Sequence, residues 1–209
     1  MAEAMARIRP VDPDAYWASV TRDFLFLRAS KHTIYQGLRI RKTPLDLWVY
    51  REMLEELRPA VVIEFGTWQG GSALWFCHQF EALGFGRVVS VDIDLPPMLP
   101  SHRRLTFVKG DSLSKQTVRD VFAQAHNETG PVLLIEDSRH TFGHVLRELN
   151  LYWPLVTPGS YFVVEDTKTR GVKRAVSRFL ERNPDFFVDK TREKFRITSN
   201  FGGYLRRKP

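Results

Sequence analysis

Cysteine occurs once in the 209 residues, at Cys77, so no disulfide can form within the chain, and a reducing compartment is implied. Cys77 ends the apolar stretch Ala73-Leu74-Trp75-Phe76-Cys77 and reads as a small core residue of a helix. No run approaches the roughly 20 apolar residues that a membrane-spanning helix needs. The first residues, Met1 to Arg7, carry an acid and lack an apolar centre, which argues against a signal peptide and for a cytoplasmic location. Also missing are a repeat, a low-complexity tract, a Gly-x-Gly-x-x-Gly dinucleotide fingerprint and an Asn-Pro-Pro-Tyr element of the kind used in base methylation.

What is present is an ordinary globular composition, 43% hydrophobic and 26% charged, in a chain long enough for one well-filled domain. Basic residues outnumber acidic ones 31 to 24, a formal charge of +7. Much of the excess lies in the last third, from Arg170 to Lys208, at helix-surface or strand spacing and without interleaved stacking aromatics. A solvated basic face accounts for that pattern; a surface for nucleic acid or a phosphorylated substrate is the competing reading.

Residues 14–29 have apolar positions at helical spacing, and residues 33–40 read as extended or turning. Thr43-Pro44 is a helix start, with Thr43 as N-cap and Pro44 in the first helical position; that helix should stop before Pro59. Beyond it strands and helices alternate, with strands expected at 60–65, 87–92, 105–108, 131–136 and 160–165. Helices are expected at 70–83, 113–126, 142–153 and 171–182. Residues 195–198 and 203–205 suggest a closing antiparallel hairpin. The division expected is an N-terminal arm and helical cap over 1–42, then one α/β domain over 43–209 with a mostly parallel sheet.

Four of the expected strands end on carboxylates: Glu64, Asp92, Glu136-Asp137 and Glu165-Asp166. In such folds ligands bind outside the carboxyl ends of the strands. Acids gathered at one edge repel one another unless a cation or a hydroxyl-rich ligand satisfies them, so the pattern points to a site.

The first strand runs into Glu64-Phe65-Gly66-Thr67-Trp68-Gln69-Gly70-Gly71-Ser72. Glycines here allow a tight turn and close backbone approach to a ligand, and the following helix offers free N–H groups. An acid ahead of glycines spaced in this way is the usual first motif of S-adenosylmethionine (SAM) enzymes, although such turns also serve packing. The candidate cofactor residues are Glu64, Gly66, Thr67, Gly70 and Ser72. Asp92, ending the second strand, is placed to accept hydrogen bonds from both ribose hydroxyls; capping the next turn is the alternative. Asp111 and Ser112 end the third strand, where either could meet the adenine, or Ser112 could cap the following helix.

Asp137 and Glu165 are separated by the length of one αβ unit, so adjacent parallel strands would bring Asp137, Glu165 and Asp166 together. Such carboxylates, with positions left for water or substrate, suit Mg²⁺; capping of the next helices by Asp137 and Asp166 is the alternative. His140, three residues past Asp137, is suited to act as general base, with His144 one turn further as the other candidate. His126 and His32 have no such surroundings. Tyr35, Trp48 and Trp68 are candidates for shaping an acceptor pocket.

Taken in order, these segments resemble the cephalosporin-hydroxylase-like methyltransferases, a family that includes sugar O-methyltransferases of macrolide pathways. The resemblance covers roughly residues 33–207. Its carriers are Thr43-Pro44-Leu45-Asp46-Leu47-Trp48, Ile63-Glu64-Phe65-Gly66-Thr67 with Gly70-Gly71-Ser72, Asp137-Ser138-Arg139-His140, Val163-Val164-Glu165-Asp166-Thr167 and Gly202-Gly203-Tyr204-Leu205-Arg206. It implies a Rossmann-like SAM-methyltransferase fold and Mg²⁺-dependent methylation of a hydroxyl on a small polyhydroxylated acceptor, such as a sugar of a natural product or glycolipid. Asp137, Glu165 and Asp166 would be the metal ligands, His140 the base, and Glu64, Gly66, Gly70 and Asp92 part of the SAM site. The chain departs from the family at Glu136, an extra acid before the expected aspartate; strand alternation lets only one of that pair face the metal. Nothing resembles an iron-oxygenase ligand set. Rival readings are a nucleic-acid methyltransferase, suggested by the charge, and a SAM-binding protein without chemistry. A homo-oligomer is expected.

Overall fold

The computed structural model describes residues 33–126 and 129–209. The expected helix over 14–29 lies outside them, as does His32. The described chain opens with a short antiparallel pair, β1 (Ile34–Tyr35) and β2 (Leu38–Arg39), where the sequence indicates an extended turn. Helix α1 (Pro44–Leu57) begins as its sequence dictates: the Thr43 hydroxyl accepts from the Asp46 amide, and Pro44 needs no hydrogen-bond partner. It ends at Arg58, which turns into the left-handed region ahead of Pro59.

The central sheet then builds from β3 (Val61–Phe65), β4 (Arg87–Asp92), β5 (Leu105–Lys109), β6 (Val132–Glu136) and β7 (Tyr161–Val164). Two antiparallel strands, β8 (Phe186–Val188) and β9 (Tyr204–Arg207), complete it in the order β5-β4-β3-β6-β7-β9-β8. The helices between them are α2 (Gly71–Leu83), α3 (Lys115–His126), α4 (Phe142–Tyr152) and α5 (Arg170–Arg182). Strand alternation divides the core in two. Val61, Ile63 and Phe65 of β3 pack toward α3, α4 and α5 with Leu134, Phe162 and Val164. Val62 packs the other way, with Leu133, Ile135, Tyr161 and Val163, against α1 and α2. Every residue of β3 and β6 is buried, as parallel strands covered on both faces require.

The closing hairpin differs in its first strand. Residues 195–198 form no strand: Arg196 is left-handed, and the Thr198 hydroxyl accepts from the Asn200 amide, closing a local turn. The strand that pairs β9 is Phe186–Val188, further back in the chain. The turn instead binds α1, because buried Asp46 accepts from the Ser199 amide at 3.1 Å and from the Tyr204 hydroxyl at 3.3 Å. Residues 33–42, read from the sequence as part of the arm, pack into the domain, with Ile40 and Lys42 both buried.

Candidate active site

A cavity of about 1040 Å³ opens over the carboxyl ends of β3, β4, β6 and β7. It is at the large end of small-molecule sites, which run to about 1,000 Å³, and leaves space for a cofactor and an acceptor together. One half is the glycine turn. Gly66 has φ +102°, and a Cβ there would lie 2.1 Å from the Asp137 carbonyl oxygen, so no other residue fits. Trp68 also takes a positive φ of 47°, strain of a kind that collects at functional positions. Asp92 braces this turn: its Oδ2 accepts from the amides of Thr67 at 2.8 Å and Trp68 at 3.0 Å, and its Oδ1 from Asp94.

Each candidate cofactor residue has a definite place. Gly66, Thr67, Ser72, Asp92, Asp111 and Ser112 line the cavity. Gly70 is the left-handed residue that starts α2, beneath Pro100. Glu64 is fully buried behind the turn, where Ser90 donates to it at 3.3 Å and burial raises its pKa. Ser112 does not cap α3; that falls to Ser114, whose hydroxyl accepts from the Thr117 amide. The Ser112 hydroxyl instead donates to Glu148, a buried acid on α4.

Glu148 belongs to a polar group below the floor. The Ser138 hydroxyl lies 2.7 Å from Glu136 and 2.8 Å from Glu148, and His144 Nε2 lies 3.1 Å from Glu148. Burial and the neighbouring Glu148 push the Glu136 pKa well up. Alternation thus turns Glu136 toward α4, away from the cavity, and leaves Asp137 as the acid that faces it. His144 is tied to Glu148, which leaves His140 as the histidine beside the metal candidates.

The other half is acidic. His140 Nε2 lies 3.4 Å from Asp137 Oδ1 and 3.6 Å from Asp166 Oδ2. One atom from each of these three lies within 4.8 Å of the others, so a cation held by the two carboxylates would sit beside the imidazole. Asp166 is held at φ 52°, in the left-handed region. The Asp137 carboxylate beside it, and then Asp166, raise the His140 pKa despite partial burial. Burial pushes Asp137 up, but Lys42 and His140 outweigh it and hold its pKa low. Glu165 stands outside this trio, buried beside it, accepting from Lys42 Nζ and the Tyr50 hydroxyl, each at 2.6 Å.

Lys42 joins the site without a sequence signal of its own. It lies in Arg41-Lys42-Thr43, just ahead of a helix cap, and nothing in that pattern shows a lysine entering a carboxylate group. The only available signal was an excess of buried strand-end acids that called for a cation. Of the aromatic candidates, Trp68 lines the cavity, with the Arg41 guanidinium stacked 4.4 Å over its ring. Tyr35 is bonded to His78, and Trp48 is on the surface with Glu52. The basic C-terminal third is partly neutralised: Arg192 pairs with Glu56, Lys194 with Glu52 and Lys190 with Glu193. Arg206 and Arg207 donate to backbone carbonyls.

A parallel sheet of this strand order, with an acid-lined cavity beside a glycine turn at its carboxyl edge, defines the Rossmann-like methyltransferase class. Within it the chain belongs to the rhamnosyl O-methyltransferase/CmcI family, which matches residues 28–208. It is 34% identical over 189 residues to a rhamnosyl O-methyltransferase of Mycobacterium tuberculosis (strain ATCC 25618 / H37Rv), covering 83% of this chain and 77% of that one. To the rhamnosyl O-methyltransferase of Mycobacterium leprae (strain TN) it is 34% identical over 191 residues, 84% of this chain and 83% of that one. Among solved structures, apo CmcI-N160 superposes with a TM-score of 0.71 at 27% identity, covering 97% of this chain and 87% of that one. CmcI-D160 with Mg and SAM gives 0.70 at 27% identity, covering 97% and 88%. No helix among the described residues is long and apolar enough to cross a membrane.

Proposed function

We propose that the protein transfers the methyl group of SAM to a sugar hydroxyl, with Mg²⁺ held by Asp137 and Asp166 and His140 as base. The observation that carries this reading is the convergence of Asp137, His140 and Asp166 in the same cavity as the glycine turn. Its relatives are rhamnosyl O-methyltransferases, and a CmcI structure contains Mg and SAM. Glu165, next to Asp137, is the further oxygen ligand once Lys42 gives way.

Asp137 and Asp166 would hold the divalent ion, which would supply polarisation of the acceptor hydroxyl and so lower its pKa. The hydroxyl oxygen forms a bond to the sulfonium methyl carbon as the carbon–sulfur bond breaks, leaving neutral S-adenosylhomocysteine. The hydroxyl proton passes to Nε2 of His140, and neighbouring Asp137 stabilises the imidazolium. Gly66 and the N-terminus of α2 allow the cofactor's close approach, and Asp92 keeps the turn in shape while offering oxygens to ribose. Holding both reactants in line supplies about 7–11 kcal/mol of the barrier reduction in well-oriented systems. We place the activity in the cytoplasm, in keeping with the one unpaired thiol. A homo-oligomeric assembly is also proposed, to be read by light scattering.

The test is methyl transfer from SAM to a panel of rhamnosides, in Mg²⁺ and in EDTA, with products identified by mass. A methylated sugar formed only with Mg²⁺ is expected. Equal rates in EDTA, or no product from any sugar, contradict the proposal.

A further inference from the structure

Lys42 is 2% exposed, yet its ammonium faces three carboxylates. Nζ lies 2.6 Å from Glu165 Oε1, 3.1 Å from Asp137 Oδ2 and 3.4 Å from Glu64 Oε1. The Tyr50 ring lies alongside, its centroid 5.9 Å away. The backbone that carries Lys42 is fixed on both sides. Ile40 is in the core, Thr43 caps α1, and the Arg39 carbonyl is so near Gly71 that a Cβ there would approach it to 2.4 Å. The point from which the side chain extends is therefore fixed, and the ammonium can move only within its own reach along the cavity wall.

This arrangement joins both halves of the cavity, since Glu64 stands behind the glycine turn while Asp137 and Glu165 belong to the acidic half. Lys42 also occupies one oxygen on each of two acids proposed for the metal, Asp137 Oδ2 and Glu165 Oε1. A divalent ion bound to Asp137 would lie within a few ångströms of the ammonium, and like charges that close in a poorly solvated site repel strongly. Without Lys42, buried Glu64 and Glu165 would face Asp137 with His140, on its far side, left to offset the charge, a costly arrangement.

We propose that Lys42 is a positioning residue, a built-in counter-ion that keeps the acids convergent before metal arrives and thereby sets how tightly the site takes a divalent cation. This rests on the metal reading above. Removing the positive charge should tighten Mg²⁺ binding while destabilising the metal-free protein.

The experiment is calorimetric titration of Mg²⁺ into the full chain and into Lys42→Met, Lys42→Gln and Lys42→Arg, with circular dichroism to establish folding and melting curves in EDTA and in Mg²⁺. Lys42→Met and Lys42→Gln should bind Mg²⁺ at least about tenfold more tightly, as loss of a nearby like charge implies. Their melting temperatures should fall in EDTA and recover with Mg²⁺ by more than the parent's does. Lys42→Arg, which keeps the charge, should bind as the parent does. If Lys42→Met fails to fold, Lys42→Gln, which retains a hydrogen-bond donor, carries the comparison. Equal or weaker Mg²⁺ binding in the folded charge-removing variants overturns the role of Lys42, as does tightening in Lys42→Arg of the same size. Absence of Mg²⁺ binding in the parent and all variants overturns the metal reading, and this proposal with it.

Discussion

Around the glycine turn the shape is set by backbone: Gly66 and Gly70 in left-handed conformations, and two successive amides held by one oxygen of Asp92. Across the cavity the shape is set by side-chain charge: Asp137, Glu165 and Asp166 converge near Lys42 and His140. A backbone-built half is rigid before any ligand binds, because changing it means changing φ and ψ. A charge-built half depends on its ionic occupants, so its affinity is tunable by one side chain. The two halves should therefore respond differently to substitution.

The largest effect expected is on folding. Gly66→Ala places a methyl group against the Asp137 carbonyl at a positive φ, a clash with backbone that cannot be relieved by a rotamer change. A loss of about 3 kcal/mol or more is expected from overpacking and backbone strain combined, read by thermal or urea denaturation. His140→Ala should leave the fold and S-adenosylhomocysteine affinity unchanged while lowering kcat by about 10²–10⁴, the usual contribution of a general base. Only neutral imidazole can accept the proton, so the parent's activity should decline as pH drops through the His140 pKa, which Asp137 raises in the metal-free protein. That limb should be missing from the residual activity of the variant.

Asp92→Ala removes the acceptor for the Thr67 and Trp68 amides. A stability loss of about 1–3 kcal/mol with weakened S-adenosylhomocysteine binding is expected, since the turn loses its brace. Smallest is the surface effect at Glu81, an exposed acid paired with Arg103 and Arg104. The hydrogen bonds from Arg103 and then Arg104 hold its carboxyl down to about 2. Its contribution to stability is present above the ordinary value of 4.5 and is lost as pH falls toward 2. Glu81→Gln should flatten that part of the stability curve slightly, as exposed pairs contribute little.

The same contrast explains what the sequence disclosed. Alternation of apolar strands with helices was legible because each parallel strand is buried on both faces; β4 and α1 fall at their expected limits. The glycine turn was legible too, because a positive φ demands glycine at Gly66. The separation of Glu136 from Asp137 followed from the two-residue period of a strand. Lys42 was not legible, since its partners lie 22, 95 and 123 positions away and only the folded sheet joins them. Residues 195–198 misled as a strand because their Phe-Arg-Ile-Thr alternation is answered by side-chain bonds to Tyr204 and Asn200 instead of a ladder. Among the expected metal acids Glu165 differs, because its carboxylate accepts from Lys42 and Tyr50, contacts that no spacing in the sequence indicates.

The most direct test of this two-part site is calorimetric titration with S-adenosylhomocysteine, in Mg²⁺ and again in EDTA. A preformed cofactor half predicts binding of the same affinity in both buffers, while methyl transfer to a rhamnoside is lost in EDTA. Binding that vanishes in EDTA, or no binding in either buffer with the protein folded, would contradict the account.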